Sequence, residues 1–340
     1  MNRKGVIFFA FGLGLCRPML VSAEEPSREE ARAAPPLPWQ ESTPTARMFL
    51  QLPFETPAVM GKGDVGGEVN LLYANSILVG STPSLAIDVD IESAEILALF
   101  RYGFAAGFEA QLAVPVIIDY GGFLDGAITA TERFFGAAPM PGRRDHPNNL
   151  ARFRITRPDG SGIGRDGAGV SLGDAWTGFK ALVMEQTGGW PMVALRAVIK
   201  LPTSRPPYGS DAVDLGGSLM IGWTWRWANL WIEMDAAYPT ADLQAARIST
   251  HVYGATQLGL VVPLSDLLAL NLQWSSHFSP FSRTGIPQLD APTHYLLLGV
   301  TIGLSRFVRL EVAAVENIFC PASGVDVAIL FGLRIWPEKP

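Results

Sequence analysis

Residues 295–315 read YLLLGVTIGLSRFVRLEVAAV, a stretch almost long enough to cross a bilayer as one helix. Arg306, Arg309 and Glu311 argue against that helix, because charge near the centre of a lipid-spanning helix is costly. The apolar residues instead fall on alternate positions, which are Leu296, Leu298, Val300, Ile302 and Leu304, then Val308, Leu310, Val312 and Ala314. A period of two is typical of strands. We interpret the stretch as two strands joined by a tight turn at Ser305.

The same alternation recurs along most of the chain, and the composition agrees with it. Hydrophobic residues make up 48% of the 340 residues, charged residues only 17%, and there are 35 glycines. After residue 23 no run of 18 apolar residues occurs, so the apolar character is spread over many short segments. Strands of a barrel in lipid have this pattern, because lipid-facing and lumen-facing residues alternate. We predict an all-β fold, a transmembrane antiparallel β-barrel of about 14 strands, with 12 or 16 as alternatives.

The N-terminus has the features of a secretory signal peptide. Arg3 and Lys4 precede an apolar core that runs from Val6 to Leu15, and Ala23 ends a run of small residues. We predict that residues 1–23 are removed and that the protein is exported to the outer membrane of a Gram-negative-type cell. Without this peptide Cys320 is the only cysteine, which excludes an intramolecular disulfide.

The rest of the chain divides into two regions. Residues 24–58 are rich in proline and have little periodicity, so we predict a periplasmic N-terminal segment whose end packs on or into the barrel. The barrel is assigned to residues 59–340, with an insertion at 117–170. The insertion contains FLDGAITATERFFG, a predicted short helix, and one candidate strand near 150–156. Parity alone does not say which side of the membrane the insertion occupies.

Loop lengths and tryptophan positions favour a membrane barrel over a soluble sandwich, which would also alternate. Counted back from the C-terminus, short connections near 184–190, 226–228, 263–265 and 305 alternate with longer ones near 202–214, 239–250, 278–292 and 317–324. Outer-membrane barrels have short periplasmic turns and longer external loops. The tryptophans at the short-turn end therefore predict a periplasmic aromatic girdle made of Trp190, Trp225, Trp227 and Trp336.

Strand parity also divides the charged residues. Arg or Lys facing the middle of the bilayer would cost about 2–4 kcal/mol each, so charges on the polar parity are expected inside the barrel. The candidates for lining the lumen are Glu109, Asp174, Lys180, Arg196, Lys200, Glu233, Asp235, Arg309, Glu311 and Arg334. A turn centred on Thr187 would place Lys200 opposite Asp174. These residues either fill a narrow barrel or line a pore, since lumen width depends on strand number and shear.

The first long alternating segment is assigned in the same way. Its apolar set, predicted to face outward, is Leu85, Ile87, Val89 and Ile91. The acidic residues between them, Asp88, Asp90 and Glu92, are then predicted to face inward.

Two histidines form a candidate pair at the rim. If the turn near 263–265 is centred on Leu264, His251 and His277 lie opposite each other on neighbouring strands and both point inward. Two ligands alone do not define a metal site, so we predict no metal and no cofactor.

The residues Ser275, Ser276 and His277 invite comparison with lipases embedded in barrels. Ser276 and His277 point to opposite faces of one strand, and no acid partner is evident for Ser275. We therefore expect that the protein is not an enzyme, and a barrel-embedded lipid hydrolase is kept as a remote alternative.

The charge balance limits the partners. A net charge of −6 argues against a basic surface that would bind nucleic acid. A basic stretch in the insertion is a candidate for binding lipopolysaccharide phosphate, and it contains Arg143, Arg144, Arg152, Arg154 and Arg157. The expected partners are outer-membrane lipids and lipopolysaccharide, the barrel assembly machinery and a small-molecule solute.

Four motifs carry a resemblance to a known family. They are GGFLDG at 121–126, RRDHPNN at 143–149, GVSLGDAWTGFKAL at 169–182 and RAVIKLPTS at 196–204. With these motifs the chain resembles a family of bacterial outer-membrane β-barrel proteins that carries a domain of unknown function. It is also similar to outer-membrane transporters of the aromatic-degradation (phenol meta-pathway) type. The resemblance implies an outer-membrane barrel that passes small solutes of hydrophobic or aromatic character.

Two functions remain open from the sequence. The leading hypothesis is a passive channel or transporter for small solutes. The alternative is a non-conducting structural barrel with a packed lumen, which would serve envelope integrity or surface contacts. Conductance across a bilayer distinguishes them.

Overall fold

The computed structural model describes residues 34–135, 143, 146–305, 307–317 and 323–336. Within these residues the chain forms fifteen strands, which are β1 (Val65–Thr82), β2 (Leu85–Ala105), β3 (Phe108–Tyr120), β4 (Arg152–Thr156), β5 (Gly162–Asp166), β6 (Gly169–Leu172), β7 (Trp176–Met184), β8 (Met192–Lys200), β9 (Asp214–Thr224), β10 (Asn229–Pro239), β11 (Tyr253–Pro263), β12 (Leu268–His277), β13 (Thr293–Gly303), β14 (Val308–Asn317) and β15 (Val327–Ile335). The helices are α1 (Leu124–Phe135), α2 (Pro287–Asp290) and a 3₁₀ turn, Gln244–Ala246. No helix in this part of the chain is long and apolar enough to cross a membrane.

Twelve strands close into an antiparallel barrel. In order around the wall they are β1 to β3 and then β7 to β15, and β15 pairs with β1 from Gly67 opposite Ile335 to Asn75 opposite Val327. The wall therefore has the lowest of the strand numbers considered from the sequence, and the expectation of about 14 is wrong. The candidate strand near 150–156 does form, as β4, but it pairs with β2 and with β5 and stands outside the wall.

The hairpin of β1 and β2 is longer than the rest of the wall. These strands have 18 and 21 residues, whereas the other ten wall strands have between 9 and 13. A tilted strand needs about 9–11 residues to cross a bilayer, so the hairpin extends well past the rim. Strand β4 adds to this extension, with Thr156 opposite Ala86.

From β2 onward the connections alternate in length around the barrel, whereas residues 83–84, which join β1 to β2, form a short turn at the end where the long loops lie. Residues 106–107, 185–191, 225–228, 264–267 and 304–307 join strands at one end, here called the short-turn end. Residues 121–175, 201–213, 240–252, 278–292 and 318–326 join them at the other, the long-loop end. The insertion, including α1, follows the top of β3 and so lies at the long-loop end, a point that sequence parity left open.

Side chains on the wall follow the predicted alternation. The outer face exposes large apolar residues around the barrel, including Val69, Leu112, Phe179, Leu195, Leu258, Leu270, Leu298 and Phe331. The inner face buries charged and amide side chains. An apolar outside and a polar inside are the reverse of a soluble barrel and match a barrel that sits in lipid.

The upper part of β2 departs from the prediction. Leu85, Ile87, Val89 and Ile91 were assigned to the outer face but are buried, in the same apolar cluster as Phe153 of β4. The acidic residues between them lie on the opposite side, where Asp88 and Asp90 contact Arg152 and His146 of the insertion. The prediction is wrong because the hairpin rises past the rim, where an apolar core and a charged outer surface are the stable arrangement.

The interior of the barrel is filled by residues 34–60, here called the plug. Its first residue, Ala34, accepts a hydrogen bond from Trp231 Nε1 (3.1 Å) near the short-turn end. The plug then reaches the long-loop end, where Glu41 accepts hydrogen bonds from Thr293 and Tyr295. It returns to the short-turn end, where the backbone N–H of Met60 donates to Glu109 Oε2 (2.8 Å).

The plug is thus a hairpin of irregular backbone with both ends at one rim. The N–H of Phe54 donates to the carbonyl of Trp39 across its two limbs (2.9 Å). The sequence predicted a periplasmic segment at 24–58, but the structure places residues 34–58 inside the barrel. Residues 24–33 and the predicted signal peptide lie outside the described residues.

One glycine on the inner face makes room where the plug leaves the lumen. A Cβ on Gly103 of β2 would lie 2.0 Å from the carbonyl oxygen of Gly61. The backbone of residues 61–64 therefore passes directly against this strand, and the N–H of Gly63 donates to the carbonyl of Gly103 (2.6 Å).

Candidate functional site: the plugged lumen

The wall residues closest to the plug come together through strand register. Arg101 of β2 is opposite Gln111 of β3, Glu109 of β3 is opposite Lys180 of β7, and Lys180 is opposite Arg196 of β8. All five side chains are buried on the inner face of four consecutive strands. Because side chains alternate between the two faces of a strand, these five polar side chains lie close together at one place in the lumen.

Glu55 of the plug lies at the centre of this group. Its carboxylate accepts hydrogen bonds from Arg101 Nη1 (2.5 Å), Arg196 Nη1 (2.9 Å) and Lys180 Nζ (3.1 Å). Gln111 Nε2 adds a fourth donor at 2.9 Å. Burial alone would raise the pKa of Glu55, but the three neighbouring cations hold it well below its usual range. The plug is therefore fixed by a carboxylate that stays charged.

Wall carboxylates bind the returning limb of the plug through its backbone. The N–H groups of Leu50, Glu55 and Met60 donate to Asp214, Glu233 and Glu109, respectively, each at 2.8 Å. Proline at 53 and 57 removes two further donors from this limb. Irregular backbone inside a barrel needs such partners, because an unpaired buried N–H is costly.

Other polar contacts hold the plug near the long-loop end. Arg47 donates to both oxygens of Asp119 (2.8 Å each), and its Nη1 lies 2.9 Å from Ser93 Oγ. Glu41 accepts from the side chains of Thr293 (2.5 Å) and Tyr295 (3.0 Å), and no cation contacts it within the described residues.

The plug leaves little free space. One cavity of about 10 Å³ lies beside Trp39, and another of about 20 Å³ lies between Glu41 and His277. Each has room for roughly one water molecule. Trp39 and Phe54 of the plug and Lys180 of the wall are also fully buried, so the lumen is filled in the part of the chain that the structure describes.

The structure places the lumen candidates as follows. Glu109, Lys180, Arg196, Glu233, Glu311 and Arg334 are buried on the inner face, and the side chain of Asp235 is 7% exposed. Arg309 is half-buried at the short-turn end. Asp174 and Lys200 form an ion pair of 2.6 Å near the long-loop end.

The pairing of β7 with β8 differs from the predicted register. Lys200 lies opposite Trp176 and not Asp174. The turn is centred past Thr187, which pairs with Trp190, and the bulge between Leu182 and Met184 moves the register back by only one residue. The pair forms because Asp174 turns inward just before β7 begins. Its carboxylate also accepts the N–H of Ser204 (2.8 Å).

The predicted histidine pair does not form. His277 is opposite Ala255, whereas His251 lies before β11 and is exposed. The prediction is wrong because the turn spans residues 264–267, with the N–H of Leu264 bonded to the carbonyl of Leu268. A turn centre two residues further along moves every partner by four residues.

Serine and histidine meet on both faces of the wall. On the inner face Ser275 Oγ lies 2.7 Å from His277 Nε2. On the outer face Ser276 Oγ lies 2.8 Å from His294 Nδ1, and the His294 ring stacks on Trp274 with centroids 6.2 Å apart. The second pair was not foreseen, because it depends on the register between β12 and β13.

Three of the four predicted girdle tryptophans lie exposed at the short-turn end. Trp190, Trp225 and Trp227 are 70%, 41% and 68% exposed, and Trp225 stacks on Trp227 with centroids 6.0 Å apart. Trp336 differs, because it has the parity of the inward Arg334. Its ring lies 5.4 Å from the guanidinium carbon of Arg101, so its assignment to an outer girdle is wrong.

The described arginines of the insertion bind the protein itself. Arg143 contacts Asp125 (3.0 Å) and Asp326 (2.5 Å), while Arg157 donates to the carbonyls of residues 246 and 247. Arg152 contacts Asp88 (3.0 Å), and Arg154 contacts Asp166. Arg144 lies outside the described residues. These contacts join the insertion to the hairpin and to neighbouring loops.

Sequence reasoning predicted that the end of the proline-rich segment packs on or into the barrel, but it did not identify Glu55 as the centre of the site. The signal was present in MFLQLPFETP at 48–57, where Glu55 is a lone charge among apolar residues. Such a charge is rare in a buried segment unless it is paired.

Comparison with known proteins now adds the family. A sequence model described as protein of unknown function DUF3187 matches residues 13–335. The chain belongs to the DUF3187 family. This agrees with the resemblance to outer-membrane barrels of unknown function. No curated protein matches the DUF3187 chain in sequence.

Solved structures show the fold. An outer membrane channel from Pseudomonas putida F1 superposes with a TM-score of 0.52 at 10% identity, covering 82% of this chain and 97% of that one. The toluene transporter TodX from P. putida (TM-score 0.36, 8% identity, 82% and 91% covered) is less similar. A FadL homologue from Pseudomonas aeruginosa has a TM-score of 0.38 at 9% identity, with 88% and 99% covered. The first of these superpositions shows that the DUF3187 barrel shares the fold of that outer membrane channel.

Proposed function

We propose that the protein is an outer-membrane channel for small solutes, in which the plug must move before a solute can pass. Its apolar outer face would lie in contact with outer-membrane lipids and lipopolysaccharide, and its short-turn end would face the periplasm. No enzymatic turnover is part of the proposal. A link to phenol meta-pathway transport, with hydrophobic or aromatic solutes, is supported by the sequence resemblance alone.

The observation that carries the proposal is how the lumen is filled. An eight-stranded barrel is just wide enough for its own side chains to fill, and diameter grows with strand number. This twelve-stranded wall is filled by a separate segment, which enters and leaves at one rim. Displacement of residues 34–60 would leave a lumen lined by Arg101, Lys180, Arg196 and their acidic neighbours.

Deletion of residues 34–60 provides the first test. We expect the purified deletion variant to give stepwise currents in planar bilayers, whereas the unaltered protein gives rare openings. Heat-modifiable migration and a strand-rich circular dichroism spectrum must first show that the variant is folded. A folded variant that passes no current would overturn the proposal.

A reversible cross-link tests whether plug movement is required. A Cβ on Gly216 would lie 2.5 Å from Leu50 Cδ2, which places the two Cβ atoms within about 5 Å of each other and makes these positions candidates for a disulfide. With Cys320→Ser, the pair Leu50→Cys and Gly216→Cys should be silent when oxidised and should open after reduction. Leu50→Cys alone is the matched control and should not respond. Equal openings in both redox states would contradict the proposal.

A second function is favoured by the completeness of the seal. The plug has partners on strands all around the wall, as expected for a non-conducting structural barrel with a packed lumen. In that case the deletion variant would lose stability without gaining conductance. The same bilayer measurement therefore separates the two functions.

A further inference from the structure

The group around Glu55 has the form of a binding site whose ligand belongs to the chain itself. Arg101, Gln111, Lys180 and Arg196 each belong to a different wall strand, and all direct a donor at one carboxylate. The carboxylate arrives on the plug, which is not part of those strands. The donors are thus held by the sheet, whether or not this side chain is present.

We propose that these four wall residues form a binding site for a small carboxylate, which Glu55 occupies in the closed barrel and a carboxylate-bearing solute occupies when the plug moves. This deepens the proposed function by naming its substrate class, and its transport role rests on that function. The binding site itself does not, because it already exists in the closed structure.

Directed donors, rather than net charge, give the site its selectivity. Wall carboxylates also contact the three cations, and they are Glu68, Glu109, Glu233 and Asp235. These acids offset the cations, so the site does not attract anions by overall charge. It can still recognise a planar carboxylate, since guanidinium groups bind both of its oxygens in fixed geometry.

The surroundings suit an anion with an apolar part. Trp176 is buried beside the site, with its ring centroid 5.9 Å from the guanidinium carbon of Arg196. Phe54, the residue before Glu55 in the plug, is also fully buried, in a cluster with Trp231, Val261 and Ala269 across the lumen. Removal of the plug would leave the space of Phe54 for the rest of the solute. Acetate and benzoate are therefore the appropriate probes.

Chemical rescue tests the site in the full chain. Glu55→Gly removes the internal carboxylate and leaves the four donors. We expect sodium acetate, compared with sodium chloride at equal ionic strength, to raise the unfolding temperature of this variant towards that of the wild type.

The matched control is Glu41→Gly, which removes a plug carboxylate bound by hydroxyl and amide donors only. Acetate should not rescue this variant or shift the wild type. Adding Arg196→Gln to Glu55→Gly should abolish rescue. Equal responses to acetate and chloride in Glu55→Gly, or equal rescue of Glu41→Gly, would overturn the proposal.

Two further outcomes are informative. If Glu55→Gly folds only in acetate, as judged by heat-modifiable migration, the site is supported. If it folds in neither salt, the proposal fails, because a carboxylate site should accept acetate in place of the missing side chain. None of these measurements requires conductance. A barrel that is rescued but never conducts would retain the site and lose the channel.

Discussion

The two halves of the lumen hold the plug through different kinds of interaction. Towards the long-loop end Met48, Phe49, Leu50 and Leu52 belong to one apolar cluster with the hairpin extension and the loops above it. Towards the short-turn end Glu55 sits among cations and amides. The long-loop half is mainly an apolar core with one buried ion pair, between Arg47 and Asp119, whereas the short-turn half is centred on a cluster of buried charges.

The difference matters because the two kinds of contact respond differently to change. Apolar packing is non-directional, and its loss scales roughly with the area exposed, about 25 cal/mol per Å². A buried ionic group is stabilising only while it is complete, because removing one member leaves the others unpaired. The charged half is therefore the more sensitive to a single alteration, and the apolar half is the more tolerant.

The largest effect is expected in the charged half. Glu55→Gln keeps the shape of the side chain but leaves Arg101, Lys180 and Arg196 without their shared carboxylate, so we expect a loss of about 3–5 kcal/mol in stability. Thermal and denaturant unfolding in detergent measure this loss. Glu41→Gln, which leaves no cation unpaired, should cost less. Equal losses would remove the distinction between the two halves.

A somewhat smaller effect is expected in the apolar half. Phe49 packs edge-on against Phe281, with ring centroids 5.4 Å apart, and Phe49→Ala should cost about 3 kcal/mol. The plug should nevertheless stay in place, because the ion cluster is intact. Limited proteolysis after residue 47 measures plug release. Phe179→Ala on the exposed outer face is the control, and faster cleavage in Phe49→Ala than in Glu55→Gln would reverse the comparison.

The smallest effect is a dependence on pH. The pKa of Glu55 is lowered in the folded state, so its stabilising contribution is fully present above the ordinary glutamate value of about 4.3 and decreases as pH falls towards the folded value. The stability difference between wild type and Glu55→Gln should thus be constant from pH 8 to about pH 5 and narrow below that. Unfolding temperatures across this range test it. A difference that already narrows above pH 6 would show that another group controls the cluster.

The sequence predicted the wall well, because alternation reports directly which face of a strand is buried. The short turns, the lumen candidates and the short helix follow from local pattern and parity. Strand register was predicted less well, since turns centred past Thr187 and past Leu264 shift the partners of whole strands while the alternation within each strand stays the same. That is why the His251 and His277 pair was wrong.

The plug could not be predicted from the sequence pattern, because its apolar residues do not recur at a regular spacing. Its fold depends on contacts with residues far along the chain, such as Glu55 with Arg196 and Glu41 with Tyr295. The upper hairpin was misassigned for a related reason. Alternation separates the two faces of a strand but does not say what each face contacts. Along β2 the inward residues change from apolar to polar between Ile91 and Ser93.

Both ends of the plug lie at the same rim, and this sets how it responds to force. A force applied to residue 34 would break the contacts of the first limb one after another and not all at once. Glu55 lies on the second limb and would be released after the contacts of Glu41, Arg47 and Leu50. The plug would remain covalently joined to the barrel through β1. The segment whose removal opens the lumen therefore stays close enough to close it again.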